Sequence, residues 1–305
     1  MELSIIIPTK DRGGILQKTL EHAYHAIQTH QAEIIVVNDS KTTYVEVDPL
    51  FQDKIKVINN SKSGVASARN LGASQAQAEL LLFLDDDMLI SAGNIQTTLQ
   101  LHQQYKNCCI NLNWIYPPSL TERLTDTKFG RYLIHYGFTS LKGWNRGEHW
   151  DQTQLFAANG ITSQYLSIEK TVFYTAGAYN ENFPHAGFED YEFAQRLRKA
   201  GVTFYIYPLS MVFHNEEDRL LVKAWLQRKK RGGETRQVAV KMGFKHLQIH
   251  YSRWKYILLS LLSGINGILH GMLTLIPNKT YLDFLYFRIV NILLAIAIFD
   301  GYHKK

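Results

Sequence analysis

Four short runs of core-type residues punctuate the first hundred positions: "LSIII" (3–7), "EIIVV" (33–37), "KIKVIN" (54–59) and "LLLFL" (80–84). Between the first two, "GGILQKTLEHAYHAIQ" places apolar residues at helical spacing. Before the fourth, "SGVASARNLGASQAQ" is Ala-rich and helix-forming. Strands joined by a crossover helix pair in parallel, so the alternation leaves few folds open. It predicts an open, mostly parallel α/β sheet over roughly residues 1–100.

In such sheets ligands bind beyond the carboxyl ends of the strands. The fourth run stops at Asp85, Asp86 and Asp87, and the second stops at Asp39 in "IIVVNDS". Three adjacent like charges repel, and a fold tolerates them most readily around a cation. Side chains alternate along an extended segment, so Asp85 and Asp87 are expected on one side and Asp86 on the other. Two carboxylates on one side suit Mg²⁺ or Mn²⁺, which usually take one or two carboxylates plus substrate phosphates. A solvated acidic loop is the bland alternative. The apolar strand in front and Asp39 at a second strand end weigh against it.

Residues 105–160 are aromatic-rich and irregular, and they yield no topology. Beyond them the pattern predicts a strand at 165–168, a turn-rich loop at 177–188, a helix over "FEDYEFAQRLRKAG" and a strand over "TFYIYPLSMVFH". The last ninety residues change character. "YILLSLLSGINGILHGMLTLI" (256–276) has no acidic or basic residue other than His270 over about the length that spans a bilayer. "FLYFRIVNILLAIAIF" (284–299) is shorter and interrupted by Arg288. Arg253, Lys255, Lys304 and Lys305 flank the outer ends of the pair and only Lys279 lies between, as in a hairpin with both ends cytosolic. Helices lying in the membrane interface, or packed on the globular part, are the alternatives. Membrane attachment is favoured over simple packing.

With 46% hydrophobic and 20% charged residues the chain is globular, and 305 residues can bury a sizeable core. The net charge of +6 is concentrated towards the C-terminal part, where it attracts phosphates. There Arg228, Lys229, Lys230 and Arg231 precede Gly232 and Gly233, which reads as a mobile loop clamping phosphate or as a solvated charge run. The adjacent Cys108 and Cys109 offer no disulfide framework and suit a reducing, cytoplasmic setting as core residues. "MELSIIIPTKDR" has no leader-like pattern, and no nucleic-acid recognition motif accompanies the basic charge.

Six segments in order carry a resemblance: "SIIIPTKDR", "VVNDS", "SGVASARNLG" (63–72), "FLDDD" (83–87), "GAYNENFPHAGFEDYEFAQRLRKAG" (177–201) and "VFH" ending in His214. Over about residues 3–215 the chain resembles the family 2 inverting glycosyltransferases of the glycosyltransferase A-type fold. The resemblance implies a Rossmann-like, nucleotide-sugar-binding mixed sheet flanked by helices, with an apolar helical segment appended. It implies a catalytic domain over 1–220, with its nucleotide half at about 1–100 and its acceptor half at about 101–220. Residues 221–305 form a basic linker and apolar helices. It gives nucleotide contacts to Pro8, Thr9, Arg12, Asp39, Ser63, Gly64, Arg69, Asp85 and Asp86. It gives a Mn²⁺ or Mg²⁺ ion to Asp87, Asp85 and His214, with Asp190 as the base and Glu189 contacting donor or acceptor. Within "DDD" the family pattern is ambiguous by one residue.

The implied partners are a nucleotide-sugar donor, with uridine favoured over guanosine, a glycan or lipid-linked acceptor, and the cytoplasmic membrane surface, but no nucleic acid. A polyprenyl-phosphate sugar transferase and an inactive nucleotide-sugar-binding membrane protein are the alternatives. Two departures matter. Tyr165, Ser167 and Glu169 replace the Asn, Ser and Arg of many relatives, so the sugar is not inferable. "WLQRKKRGG" lacks the Gln-x-x-Arg-Trp motif of processive synthases, which favours one sugar per encounter.

Overall fold

The computed structural model describes residues 1–145, 149–183 and 185–303. Lys304 and Lys305 of the expected basic flank lie outside the described residues, as do Pro184 and residues 146–148. In chain order the main elements are β1 (Leu3–Thr9), α1 (Gly13–Ala26), β2 (Ala32–Asn38), β3 (Ile55–Asn59), α2 (Val65–Gln75), β4 (Leu80–Leu84), β5 (Met88–Leu89), α3 (Ala92–Gln104), β6 (Cys108–Ile115), α4 (Pro118–Thr125) and α5 (Lys128–His135). Then follow α6 (Leu141–Trp144), β7 (Phe156–Ala157), β8 (Tyr165–Glu169), α7 (Lys170–Thr175), α8 (Glu189–Lys199), β9 (Thr203–His214), α9 (Val222–Lys241), α10 (Arg253–Gly264), α11 (Asn266–Leu275) and α12 (Asp283–Tyr302).

Two compact units emerge: residues 1–117, 140–182 and 189–215, and residues 118–139, 183–188 and 216–305. The sequence expectation put a single boundary at 220–221. The observed division falls after Asn215, and it assigns two internal segments to the second unit.

The first unit is built on a mixed sheet in the order β3-β2-β1-β4-β8-β6-β9-β5, with β7 on β9. β1, β2, β3 and β4 pair in parallel; the apolar runs of β1, β2 and β4 suit strands covered on both faces, while β3 is a largely exposed edge strand. Their register aligns Thr9 with Asn38 and Asn38 with Asn59, so the strands end at one level. Gly72 lets α2 lie close on this sheet, because a Cβ there would collide with Ile6 and crowd Val37. Beyond β4 the parallel pattern stops: β8 joins antiparallel, and β6 and β9 continue the sheet. The irregular middle thus supplies a central strand, β6, in which Cys108 and Cys109 are buried thiols. β5 pairs antiparallel with the end of β9, Met88 opposite His214, which brings His214 alongside the third aspartate.

The second unit is helical. The Arg228–Arg231 cluster and its two glycines do not form a loop: they lie within the 20-residue α9. Glycine inside a helix normally costs stability, and close packing against α12 explains Gly233. A Cβ on Gly233 would sit 2.6 Å from the carbonyl oxygen of Ile298, and one on Gly301 would strike the carbonyl of Lys230. Arg228 pairs with Glu216, and the Lys229 ammonium rests 5.0 Å from the rings of Phe138 and Trp225. Burial pulls Lys229 down to about 8, with Arg228 adding to the effect.

The first C-terminal apolar run is not one straight helix. α10 and α11 meet at a 66° bend around Ile265. Thr280–Tyr302 is long and apolar enough to cross a membrane, yet polar side chains tie it to the rest of this unit. Arg131 donates to Asp283, the Tyr132 hydroxyl to Asn291, and Ser263 to Asp300.

Candidate active site

All site geometry described here belongs to the first unit. Where β2 ends, Asp39 is buried and holds neighbouring strand ends and α2 together. Its carboxylate accepts from Asn60 (2.7 Å), from the Gly64 amide (3.0 and 3.2 Å) and from Lys10 (3.2 Å). Gly64 caps α2 with φ +123°, a left-handed backbone that favours glycine, and its amide is thereby turned onto Asp39. The Ser63 hydroxyl accepts from the same Lys10 ammonium. Pro8 lies within β1, opposite Val37.

β4 stops at Leu84, and the Met88 amide closes a turn onto the Asp85 carbonyl at 3.1 Å. Strand alternation therefore ends before the acids begin. The expectation that Asp85 and Asp87 share a side does not hold: Asp86 and Asp87 turn to Arg12, and Asp85 turns to Arg69. Arg12 donates to Asp86 and, at 2.8 Å, to Asp87. Thr9 donates to the other Asp86 oxygen at 2.7 Å, and Thr19 to the Asp86 carbonyl. On the far side of Asp87, His214 Nε2 approaches Oδ1 to 3.3 Å. The imidazole is held edge-on to Trp114 and Tyr116. A buried carboxylate oxygen and imidazole nitrogen at this separation are a donor set that fits a divalent ion.

The second group of acids surrounds Arg69, which is buried on α2. Its guanidinium donates to Asp85 at 3.0 Å and Glu189 at 3.1 Å, lies 3.6 Å from Asp190, and faces the Tyr179 ring. Burial alone would lower its pKa, but the charges of Asp190 and Asp85, with Glu189 adding, outweigh burial, and Arg69 stays charged. For Asp85 burial wins: its pKa is raised despite Arg69, with Asp87 and Asp190 pushing the same way.

Glu189 and Asp190 open α8, where a helix N-terminus favours acids. Their exposure separates their roles: the Glu189 side chain is 2% exposed and the Asp190 side chain 22%. Asp190 is aimed by Ser163, whose amide donates to Oδ2 at 3.1 Å and whose hydroxyl donates to Oδ1. Having spent its one proton there, Ser163 Oγ accepts from the Tyr179 hydroxyl. Burial raises Tyr179 well above its ordinary range, which keeps that proton in place.

Sequence reasoning passed over Lys10, Asn60, Ser163 and Tyr179. Asn60 was findable, since it follows β3 at the level where Asp39 follows β2. Ser163 was not, because it lies just past a stretch without periodicity. Tyr165 and Ser167, flagged as departures, point into the sheet interior, where Tyr165 bonds Thr98 and Ser167 bonds His102.

Residues 4–158 match the model of glycosyl transferase family 2. An uncharacterized glycosyltransferase of Haemophilus influenzae is 27% identical over 197 residues, covering 64% of this chain and 61% of that protein. Validoxylamine A glucosyltransferase of Streptomyces hygroscopicus subsp. jinggangensis is 28% identical over 225 residues, covering 66% and 52%. The chain thus spans between half and two thirds of these relatives' length. Among solved structures, a mannosyltransferase of Pyrobaculum calidifontis in complex with GDP-Man and Mn²⁺ superposes over 100% of this chain and 88% of its own. Its TM-score is 0.57 at 12% identity, a likeness of fold.

Proposed function

This chain belongs to glycosyl transferase family 2, and we propose that it moves a sugar from a nucleoside-diphosphate donor onto an acceptor hydroxyl, inverting the anomeric centre. The observation that carries the reading is Asp190: a carboxylate oriented by Ser163, partly exposed and set among acids that the buried Arg69 neutralises. It takes the acceptor's proton as the hydroxyl oxygen attacks the anomeric carbon from the face opposite the departing diphosphate. A single such displacement inverts the centre and needs no carboxylate nucleophile.

Asp39, with Asn60 and Lys10, offers hydrogen bonds for the nucleoside at the strand ends. The Thr9, Ser63 and Gly64 segments frame that place. Arg69 fixes Asp85 and Glu189 and keeps like charges from pushing Asp190 away. A divalent ion, Mn²⁺ or Mg²⁺, held by Asp87 and His214 with Asp85 nearby in sequence, would supply positive charge to the leaving diphosphate. Arg12 adds charge at Asp86 and Asp87. UDP-sugars are the preferred donors. A glycan or lipid-linked acceptor at the cytoplasmic membrane face, receiving one sugar per encounter, completes the reading. The basic, apolar second unit and the lack of a processivity motif support it.

The test is Asp190→Asn. Thermal shift with nucleotide sugar and Mn²⁺ should stay at the wild-type value, while turnover, read as nucleoside diphosphate released, falls by about 10²–10⁴. Near-wild-type turnover would remove the base, as expected of an enzyme whose acceptor is an already ionised polyprenyl phosphate.

A further inference from the structure

The second unit presents an apolar face that its own fold leaves uncovered. From Trp254 to Leu275 exposed apolar side chains recur at alternating steps of four and three along α10 and α11. Trp254 is 81% exposed, Leu261 67% and Leu275 81%. The segment that carries this face holds formal charge of one sign. Between Thr235 and Leu282 the sequence contains six Lys and Arg and no Asp or Glu. A second copy of the chain docked here would bring these positive charges face to face, whereas an anionic surface neutralises them. Trp254, Tyr256 and Tyr281 are exposed aromatics of the kind that settle at headgroup level.

Length decides how such a surface is used. The 12 residues of α10 rise about 18 Å and the 10 of α11 about 15 Å, against a hydrocarbon core of about 30 Å. The 66° bend stops the two from acting as one straight span. We infer that the bent α10–α11 pair is an in-plane anchor: it lays its apolar face into one leaflet of an anionic bilayer, with Arg253 and Lys255 at the lipid phosphates. α12 stays on the protein, held to α5 through Asp283 and Asn291. The anchor rests on the proposed membrane-bound acceptor only for its usefulness, not for its physics.

The experiment is co-sedimentation of the full chain with vesicles of phosphatidylcholine plus phosphatidylglycerol, and of phosphatidylcholine alone. Binding is expected only to the anionic vesicles, and it weakens as salt rises. The emission of Trp254, isolated by subtracting a Trp254→Phe variant, should be quenched more by bromines near the headgroup end of the acyl chains than by bromines at the chain terminus. Trp254→Glu/Leu258→Glu/Leu261→Glu should lower the vesicle-bound fraction about tenfold, with the thermal transition and donor turnover in solution unchanged. Asp190→Asn should bind vesicles like the wild type, so failure of the anchor and failure of the chemistry are scored apart. Four results overturn the inference. They are absence of binding to anionic vesicles, an unaffected triple variant, strongest quenching from chain-terminal bromines, and lipid-free dimerisation abolished by the same triple variant.

Discussion

Asp85 and Asp87 stand two residues apart and answer to different cations. Around Asp85 the cation is Arg69, rooted in a helix, buried and surrounded by acids whose charge holds its proton. Around Asp87 it is Arg12, which reaches in from the segment between β1 and α1 and shares the carboxylates with an imidazole. The first arrangement is permanent wiring of the protein. The second has the composition of a ligand site. Neighbouring residues of one chemical type are thus divided between structure and chemistry by where positive groups arrive, not by their own identity.

The comparison breaks most visibly at the two arginines. Arg69→Met strands two buried or half-buried carboxylates, and chemical denaturation should report a loss of about 3–5 kcal/mol. Mn²⁺ with nucleotide should not restore it. Arg12→Met should also lose stability, but Mn²⁺ with nucleotide should recover most of the loss, because a divalent ion can satisfy Asp86 and Asp87. Equal rescue of both variants would erase the distinction.

Next in size is a control with no counter-charge. His102 is buried against Ser167, and burial, aided by Lys106, takes it down to about 4 from an ordinary 6.5. The folded state therefore binds fewer protons than the unfolded one between those values. Its contribution is intact above pH 6.5 and is lost as pH falls towards 4, amounting to about 3 kcal/mol at most. His102→Gln should flatten the wild-type fall in stability over that window, measured by urea midpoints. An unchanged slope would mean that burial does not govern this group as it governs Asp85.

Asp87→Asn should then abolish the Mn²⁺-dependent part of the donor thermal shift, while Asp85→Asn keeps a reduced one. A smaller effect is expected at Ser163→Ala, which removes one hydrogen bond from Asp190. Turnover should fall about tenfold with KM nearly unchanged. A change confined to KM would make Ser163 a substrate contact.

Much of the first unit was legible in advance. "LLLFL" coincides with β4, "TFYIYPLSMVFH" with β9, and the acids after β2 and β4 stand at strand ends as an α/β sheet requires. These are local facts, because a run of buried residues and its period are properties of the run itself. The same logic misled at "RKKRGG". A charge cluster beside two glycines reads locally as a mobile loop or a solvated charge run, whereas the segment is helical and packs its Gly233 backbone against α12.

What the amino-acid order determined by itself, then, is the alternation of strands and helices, the family, and the positions at which acids accumulate. What only the tertiary structure decided is their pairing. A turn at Asp85 cancels the strand alternation, α2 delivers Arg69, the segment after β1 delivers Arg12, the end of β9 delivers His214, and the segment leading into β8 delivers Ser163. Charge and hydrogen bonding act over a few ångströms, so a carboxylate's role depends on side chains up to some 130 positions away in sequence that the fold brings to that distance.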